Sequence, residues 1–458
     1  MIKKTIILIL IIFVILNKHF FYHITITNFR LLFWTLKNFK EKKEYIKKIS
    51  ESNIQNVFLS KEMGISKNSF SPFYDNEYTF RFNKITDLMN TNDFGKSDSL
   101  PHIINYFTTP NNYLGQWVGD SIFKMDYELR GNNNQLKEKY MSALSRERVD
   151  KYQIIIRNTI PKYFKINKDL NLFDTCTEFC CHLLYELHLG IEPSKEELND
   201  INTFVNAVSY FVEGFSLQPA VLKQLYNLKF FYKKSLKQIK NIKKDCIIKD
   251  WLNAGMPLKD CFIEFIHNIV AMIINWVNTI YPYFLGISKN EIPTIERGLE
   301  KEYILECFRY IMPLKFIASK FKNQEKYCFD KNYDIAIHDL TTASRDKSWG
   351  NDTDKFNINR MKEFHKHMTG DISKCPFFNS KQKAKIACNT EIYERDNYTP
   401  FGIGYRRCPG EVLSMKFLEE VAFYVRNKQV SIHIPEGKSK VGNYVFDKIE
   451  MNYILRLI

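Results

Sequence analysis

Phe401-Gly402-Ile403-Gly404-Tyr405-Arg406-Arg407-Cys408-Pro409-Gly410, near the end of the chain, sets one cysteine on a glycine-rich loop with arginines before it and a proline after it. Gly402 and Gly404 let backbone approach a flat cofactor with no Cβ in the way, and Gly410 relieves crowding where the chain turns. Pro409 suits the first position of a helix, because its missing N–H would have no partner there and its φ is already helical. Cys408 then stands at a helix N-terminus, where free N–H groups and the positive dipole end favour thiolate over thiol. Arg406 supplies a permanent positive charge for a cofactor carboxylate. The loop therefore has the parts needed to hold haem iron by a thiolate, a ligand whose electron donation favours O–O cleavage. The bland alternative is a buried structural cysteine beside a turn.

This decapeptide resembles the cysteine-ligand loop of the cytochrome P-450 family, with Phe401, Gly402, Gly404, Arg406, Cys408 and Gly410 at the specified positions of the pattern. Upstream, Glu306-Cys307-Phe308-Arg309 has the family's Glu-x-x-Arg form on a stretch, Tyr303 to Met312, that reads as helical. At that separation two side chains lie on one helix face and can engage a third group together. Arg345-Asp346-Lys347-Ser348-Trp349-Gly350 and Phe356-Asn357-Ile358-Asn359-Arg360 are similar to the two segments that follow in the family, in the same order. The resemblance implies that Glu306, Arg309 and Arg360 form a buried charged network beneath the haem. A planar guanidinium fork can satisfy a carboxylate that could not stay buried unpaired. The chain departs from the pattern in two ways: the first segment is one residue short, and Lys347 and Ile358 stand nearest the places of the family's prolines. The gap from Arg360 to Phe401 is also long, which predicts an inserted loop around His365 to Lys385.

The apolar run from Lys259 to Tyr281, with Phe262, Phe265, Ile269, Met272, Ile273, Trp276 and Ile280, fits the central helix that crosses over the haem in this family. By resemblance that helix carries an acid–alcohol pair for proton delivery, and the equivalent positions here are Phe265-Ile266-His267-Asn268-Ile269. Neither acid nor alcohol is present. Asn268 can hydrogen-bond an oxygen ligand or a water, but an amide has no useful pKa for proton relay. His267 can shuttle protons near neutral pH if it faces the pocket, and is a core histidine if it lies one position off. These two residues are the candidate catalytic groups.

Haem propionates require cations, and the resemblance implies two besides Arg406. Lys137, in a stretch similar to the family's third helix, stands where an arginine is usual, and Lys320, ending a strand from Pro313, does the same. Lysine neutralises a propionate as a point charge without the bidentate fork. A solvated surface charge is the alternative for each.

Composition agrees with one large domain. The 458 residues could be divided into about three average domains, but the landmarks run in family order, so a single haem domain over residues 40–458 is expected. Apolar residues make up 45% of the chain, enough for a sizeable core. None of the ten cysteines forms a Cys-x-x-Cys pair, which predicts free thiols over disulfides or a zinc site. A formal charge of +15 is spread along the chain with no nucleic-acid motif beside it, so nucleic acid is not an expected partner.

The N-terminus is the second informative segment. After Met1-Ile2-Lys3-Lys4, the run Thr5 to Leu16 has no charge, and Phe20, Phe21 and Tyr22 extend its apolar character. The uncharged core is shorter than the roughly 20 residues of a full span, and no small-residue cleavage site follows it. Resemblance to eukaryotic-type members implies that residues 1–36 form a membrane anchor helix and an interfacial segment, with the catalytic domain on the cytosolic side. Strands are expected at Tyr78–Phe82, Ile335–Asp339 and Gln429–Pro435, with a C-terminal pair near Tyr444 and Tyr453. A helix is expected over Leu170 to Gly190, a second one begins with the Ser194-to-Glu197 capping box, and Asp93 to Asn112 reads as a loop.

The expectation is a mainly α (α+β) fold of the cytochrome P-450 type, a large helical haem domain with small β-sheets, binding haem b through Cys408. The implied activity is insertion of one oxygen atom from dioxygen into a lipophilic small molecule. Electrons would come from an NADPH-dependent flavoprotein reductase or a ferredoxin-type donor. Two alternatives stay open: a reductase-independent isomerase or dehydratase of organic hydroperoxides, and a haem-binding protein without enzymatic activity.

Overall fold

In the computed structural model, residues 66–67, 78–82, 94–96, 134–212, 234–314, 316–321, 335–345, 349–366, 400–401, 408–444 and 447–458 are described. The expected anchor at residues 1–36, the inserted loop around His365 to Lys385 apart from the end of one helix, and Gly402 and Arg406 lie outside them. Helices dominate, and most side chains of their inner faces belong to one apolar core.

The helix Leu258–Asn268 continues through a π segment, Ile269–Ile274, into the helix Asn275–Ser288. Together they form the central helix. Its sequence is apolar on nearly every side, so it can be stable only when enclosed. Phe262, Phe265, Ile269, Ile273, Val277 and Ile280 are all fully buried. Among the described residues this is the one helix long and apolar enough to cross a membrane, and most of it is buried inside the domain. Where the helix widens, the Asn275 side-chain amide donates to the Ala271 carbonyl at 2.6 Å and so supports the irregular turn. Such π turns recur at functional sites.

The helix Leu172–Leu189 packs along the central helix, and the helix Arg146–Tyr163 packs on it from the other side. Leu172–Leu189 starts two residues later than expected, because Asp169–Asn171 forms strand β4. Asn171 caps it, its side-chain oxygen accepting the Asp174 N–H at 2.9 Å. Gly190, at φ 65°, ends it in the left-handed conformation. Ser194 and Glu197 then close a reciprocal capping box on the helix Lys195–Val212, the Ser194 N–H reaching the Glu197 carboxylate at 2.8 Å.

Among the described residues, three sheets complete the fold. The largest has the order β1 (Ser66–Lys67), β2 (Tyr78–Phe82), β6 (Ile335–Asp339), β5 (Phe316–Phe321), β3 (Phe94–Lys96), with only β2 and β6 parallel. β3 corrects the expectation of a loop throughout Asp93 to Asn112: Phe94 lies opposite Phe321 on β5. The expected C-terminal pair is also corrected. β8 (Val441–Tyr444) pairs with β9 (Asp447–Glu450), whereas β10 (Ile454–Leu457) lies between β4 and β7 (Val430–His433). Burial explains the split. Leu455 and Leu457 are fully enclosed, while Val441 is 61% exposed on a surface ribbon.

Candidate functional site

Cys408 lies two residues before Gly410, the N-cap of the helix Glu411–Val425 (the cysteine helix), so Pro409 precedes the helix and does not open it as expected. The Cys408 N–H donates to the Phe401 carbonyl at 2.7 Å. The Phe401 ring packs 4.7 Å from Phe308, on the helix Glu300–Ile311. A Cβ on Gly410 would stand 3.8 Å from Cys408 Sγ, an ordinary contact, so sulfur crowding does not by itself demand this glycine.

The cysteines themselves test whether a thiolate-held haem suits this loop. Six of the seven described ones, Cys176, Cys180, Cys181, Cys246, Cys261 and Cys307, are buried. Burial pushes the Cys246 thiol up to about 11 and the Cys261 thiol up to about 12, and raises Cys176, Cys180 and Cys307 well beyond the usual range. Those are inert thiols, because desolvation opposes the charged form. Cys408 alone among them is partly exposed. Among the described sulfurs its exposure is the one that would allow contact with a cofactor, so the residues present fit a thiolate-held haem.

Behind the loop, Glu306 and Arg309 form a two-point ion pair with N···O distances of 2.8 and 2.7 Å. Both are fully buried, and Arg360 Nε lies 3.5 Å from the same carboxylate. Their other polar groups bond to backbone atoms elsewhere in the chain. Arg309 donates to the carbonyls of Ser344, Thr353 and Lys355, Glu306 accepts the Asn357 N–H at 2.9 Å, and Arg360 donates to the carbonyls of Trp349 and Asp352. Gly350 adopts φ 107°, a conformation that favours glycine, while a Cβ there would make only an ordinary 3.4 Å contact with Arg360 Nη1. Phe356 packs on Tyr303 and Tyr310, while Leu305, Trp349 and Met361 form a small apolar cluster beside the network.

Asn268 sits at the end of the first stretch of the central helix, and its amide is held on both sides. Its Oδ1 accepts the Tyr140 hydroxyl at 2.9 Å, and its Nδ2 donates to His188 Nε2 at 2.9 Å. His188 Nδ1 in turn donates to the Leu184 carbonyl at 3.0 Å. These bonds require the neutral Nδ1–H tautomer, and burial holds the His188 pKa down to about 4. The Tyr140 phenol is pushed far up by burial, then by Glu264 and, after the opposing Asn268 bond, by Cys408. Tyr140 thus lies within electrostatic reach of both the central helix and the cysteine. His267 is buried in the core.

Lys137 belongs to the helix Asn134–Ser142, and Lys320 pairs with Gly95 and Ile335 in the largest sheet. Their side chains lie outside the described structure. Tyr140, His188 and Glu264 were not singled out by the sequence. Only Glu264, one helical turn before Asn268 on the same face, left a local signal.

Compared with known proteins, the sequence matches no family model and no curated protein. Its structure is similar to that of P450BioI in complex with hexadec-9Z-enoic acid ligated acyl carrier protein, at 12% identity over 82% of this chain and 91% of that one, with a TM-score of 0.57. It is also similar to a retinoic acid-bound cyanobacterial CYP120A1, at 12% identity, 83% and 89% coverage and a TM-score of 0.59. A third similar structure is the cytochrome P450 CYP102L1, at 16% identity, 87% and 95% coverage and a TM-score of 0.57.

Proposed function

We propose that this chain, which has the cytochrome P450 fold, binds haem b through the Cys408 thiolate and inserts one oxygen atom from dioxygen into a lipophilic substrate. The observation that carries the reading is the partly exposed Cys408 at the head of the cysteine helix, backed by the buried Glu306, Arg309 and Arg360 network. Bound there, haem supplies dioxygen binding and electron transfer, with thiolate donation favouring O–O cleavage.

The chain's own residues supply the setting. Arg406, Lys137 and Lys320 neutralise the propionates, and Phe401, Gly402 and Gly410 shape the loop around the ligand. The apolar faces of the central helix exclude water from the pocket. Asn268, clamped by Tyr140 and His188, presents a fixed amide and moves no proton itself. His267 is available as a base only if its ring turns out of the core. Electrons come from an NADPH-dependent flavoprotein reductase or a ferredoxin-type donor, and residues 1–36 anchor the protein to a membrane with its catalytic domain in the cytosol. The lipophilic molecules in the P450BioI and CYP120A1 structures, an acyl chain and retinoic acid, support a substrate of that class.

A second reading draws on the distal helix. With no acid or alcohol from Phe265 to Ile274 and Asn268 already engaged, proton delivery is poorly provided for, which favours a reductase-independent isomerase or dehydratase of organic hydroperoxides. Incubation with NADPH and a reductase, set against a panel of fatty-acid hydroperoxides, separates the two. Oxygenated product that requires NADPH supports monooxygenation; rapid hydroperoxide rearrangement without NADPH replaces it with the second reading.

A further inference from the structure

We infer that Tyr163, with His182 and Glu186, forms a proton-coupled redox site at the protein surface, joined to the cysteine helix by a row of aromatic rings. The inference rests on the haem-thiolate reading. At its inner end, Trp276 of the central helix stacks on Phe417 of the cysteine helix, with centroids 4.0 Å apart and planes 8° from parallel. The Trp276 indole N–H donates to Ser414 Oγ at 3.0 Å. Phe417 stacks on Phe179 at 5.8 Å, and Phe179 meets Tyr163 at 5.9 Å. The row therefore runs unbroken from the helix that follows Cys408 to a phenol.

That phenol is built to give up an electron and a proton together. Its hydroxyl donates to His182 Nδ1 at 2.8 Å, and His182 Nε2 donates to Glu186 Oε2 at 3.0 Å. One neutral tautomer satisfies both bonds. The His182 bond holds the Glu186 carboxyl below its usual range, so it stays ionised, while burial raises the Tyr163 phenol and blocks simple loss of its proton. Removal of an electron changes the balance. The proton then moves from Tyr163 Oη to His182 Nδ1, leaving a neutral tyrosyl radical and an imidazolium paired with Glu186. Tyr163 and His182 also line a cavity of about 440 Å³ with Lys162, Lys165, Glu178 and Glu192. A small water-soluble reductant, such as a hydroxamate or ascorbate, can enter there and give up one electron; the proton on His182 returns to Tyr163 Oη to restore the phenol, and the donor releases its own proton to water as it becomes a radical.

Haem held by Cys408 would supply the oxidant on reaction with a peroxide in the absence of substrate. Each electron delivered through Trp276 reduces that haem by one equivalent and oxidises Tyr163 by one. The site thus drains oxidising equivalents that would otherwise damage the core.

The test is spin trapping on the haem-loaded protein. Peroxide and a nitroso spin trap are added without substrate, and the adduct is located by peptide mapping. The expected adduct lies on Tyr163, disappears in Tyr163→Phe, falls several-fold in His182→Gln and in Trp276→Phe, and is suppressed by ascorbate in parallel with ascorbate oxidation. The reduced carbon monoxide spectrum is recorded on each variant. If that spectrum shows thiolate ligation but adducts fall elsewhere, or persist unchanged in Tyr163→Phe, the redox site is overturned and the haem reading stands. A parent protein without the thiolate spectrum overturns both.

Discussion

Asn268 Nδ2 donates to His188 Nε2 at 2.9 Å, joining the central helix to the end of the helix Leu172–Leu189. The bond exists only while the imidazole is neutral, which gives it a pH signature. In the unfolded chain His188 takes up a proton below about pH 6.5, whereas in the folded protein it resists protonation down to about 4. Stability therefore falls as pH drops from 6.5 toward 4, by a total of about 3 kcal/mol from this group. His188→Gln, which keeps an acceptor for Asn268, should remove that part of the slope. Urea unfolding of both proteins at several pH values measures it. Parallel curves would contradict the assignment.

The same strap makes Asn268→Leu costly. It leaves the Tyr140 hydroxyl and His188 Nε2 without their buried partner, a loss of about 1–3 kcal/mol for each stranded group. A variant as stable as the parent in thermal unfolding would show that the strap is idle.

Glu306→Ala removes the anion that pairs with Arg309 and stands 3.5 Å from Arg360. An uncompensated buried guanidinium costs about 3–5 kcal/mol. The yield of folded, haem-loaded protein should collapse, and normal loading would separate the trio from the stability of the cysteine loop.

Gly190 and Gly437 form a matched pair. Both have positive φ, but a Cβ on Gly190 would come within 2.9 Å of Lys244 Cβ, whereas a Cβ on Gly437 meets nothing within 4 Å. Gly437→Ala should cost only the left-handed conformation, about 1–2 kcal/mol. Gly190→Ala should cost visibly more, because a backbone shift is added. Equal losses in unfolding temperature would argue against the crowding at Gly190.

What could be read from the sequence was local. Glu306 and Arg309 are one helical turn apart, the Ser194 and Glu197 capping box is self-contained, and strand β2, Tyr-Thr-Phe-Arg-Phe, carries clear alternation. Other features depend on partners distant in the chain. Tyr140 meets Asn268 across 128 positions and His188 meets it across 80, distances at which periodicity is silent. The π turn at Ile269–Ile274 lies in an apolar run whose composition fits an α-helix equally well. β10 pairs with β4, from the middle of the chain, because Leu455 and Leu457 need enclosure, and nothing near residue 454 names that partner. Tyr163, His182 and Glu186 were half legible: the last two share a helix face, but the phenol arrives from another helix.

The central claim is that Cys408 holds haem iron as a thiolate. Reducing the purified, haem-loaded protein under carbon monoxide tests it most directly. The parent should show the red-shifted Soret band of thiolate ligation, and Cys408→Ala should lose it. Full haem incorporation with that same band in Cys408→Ala would contradict it.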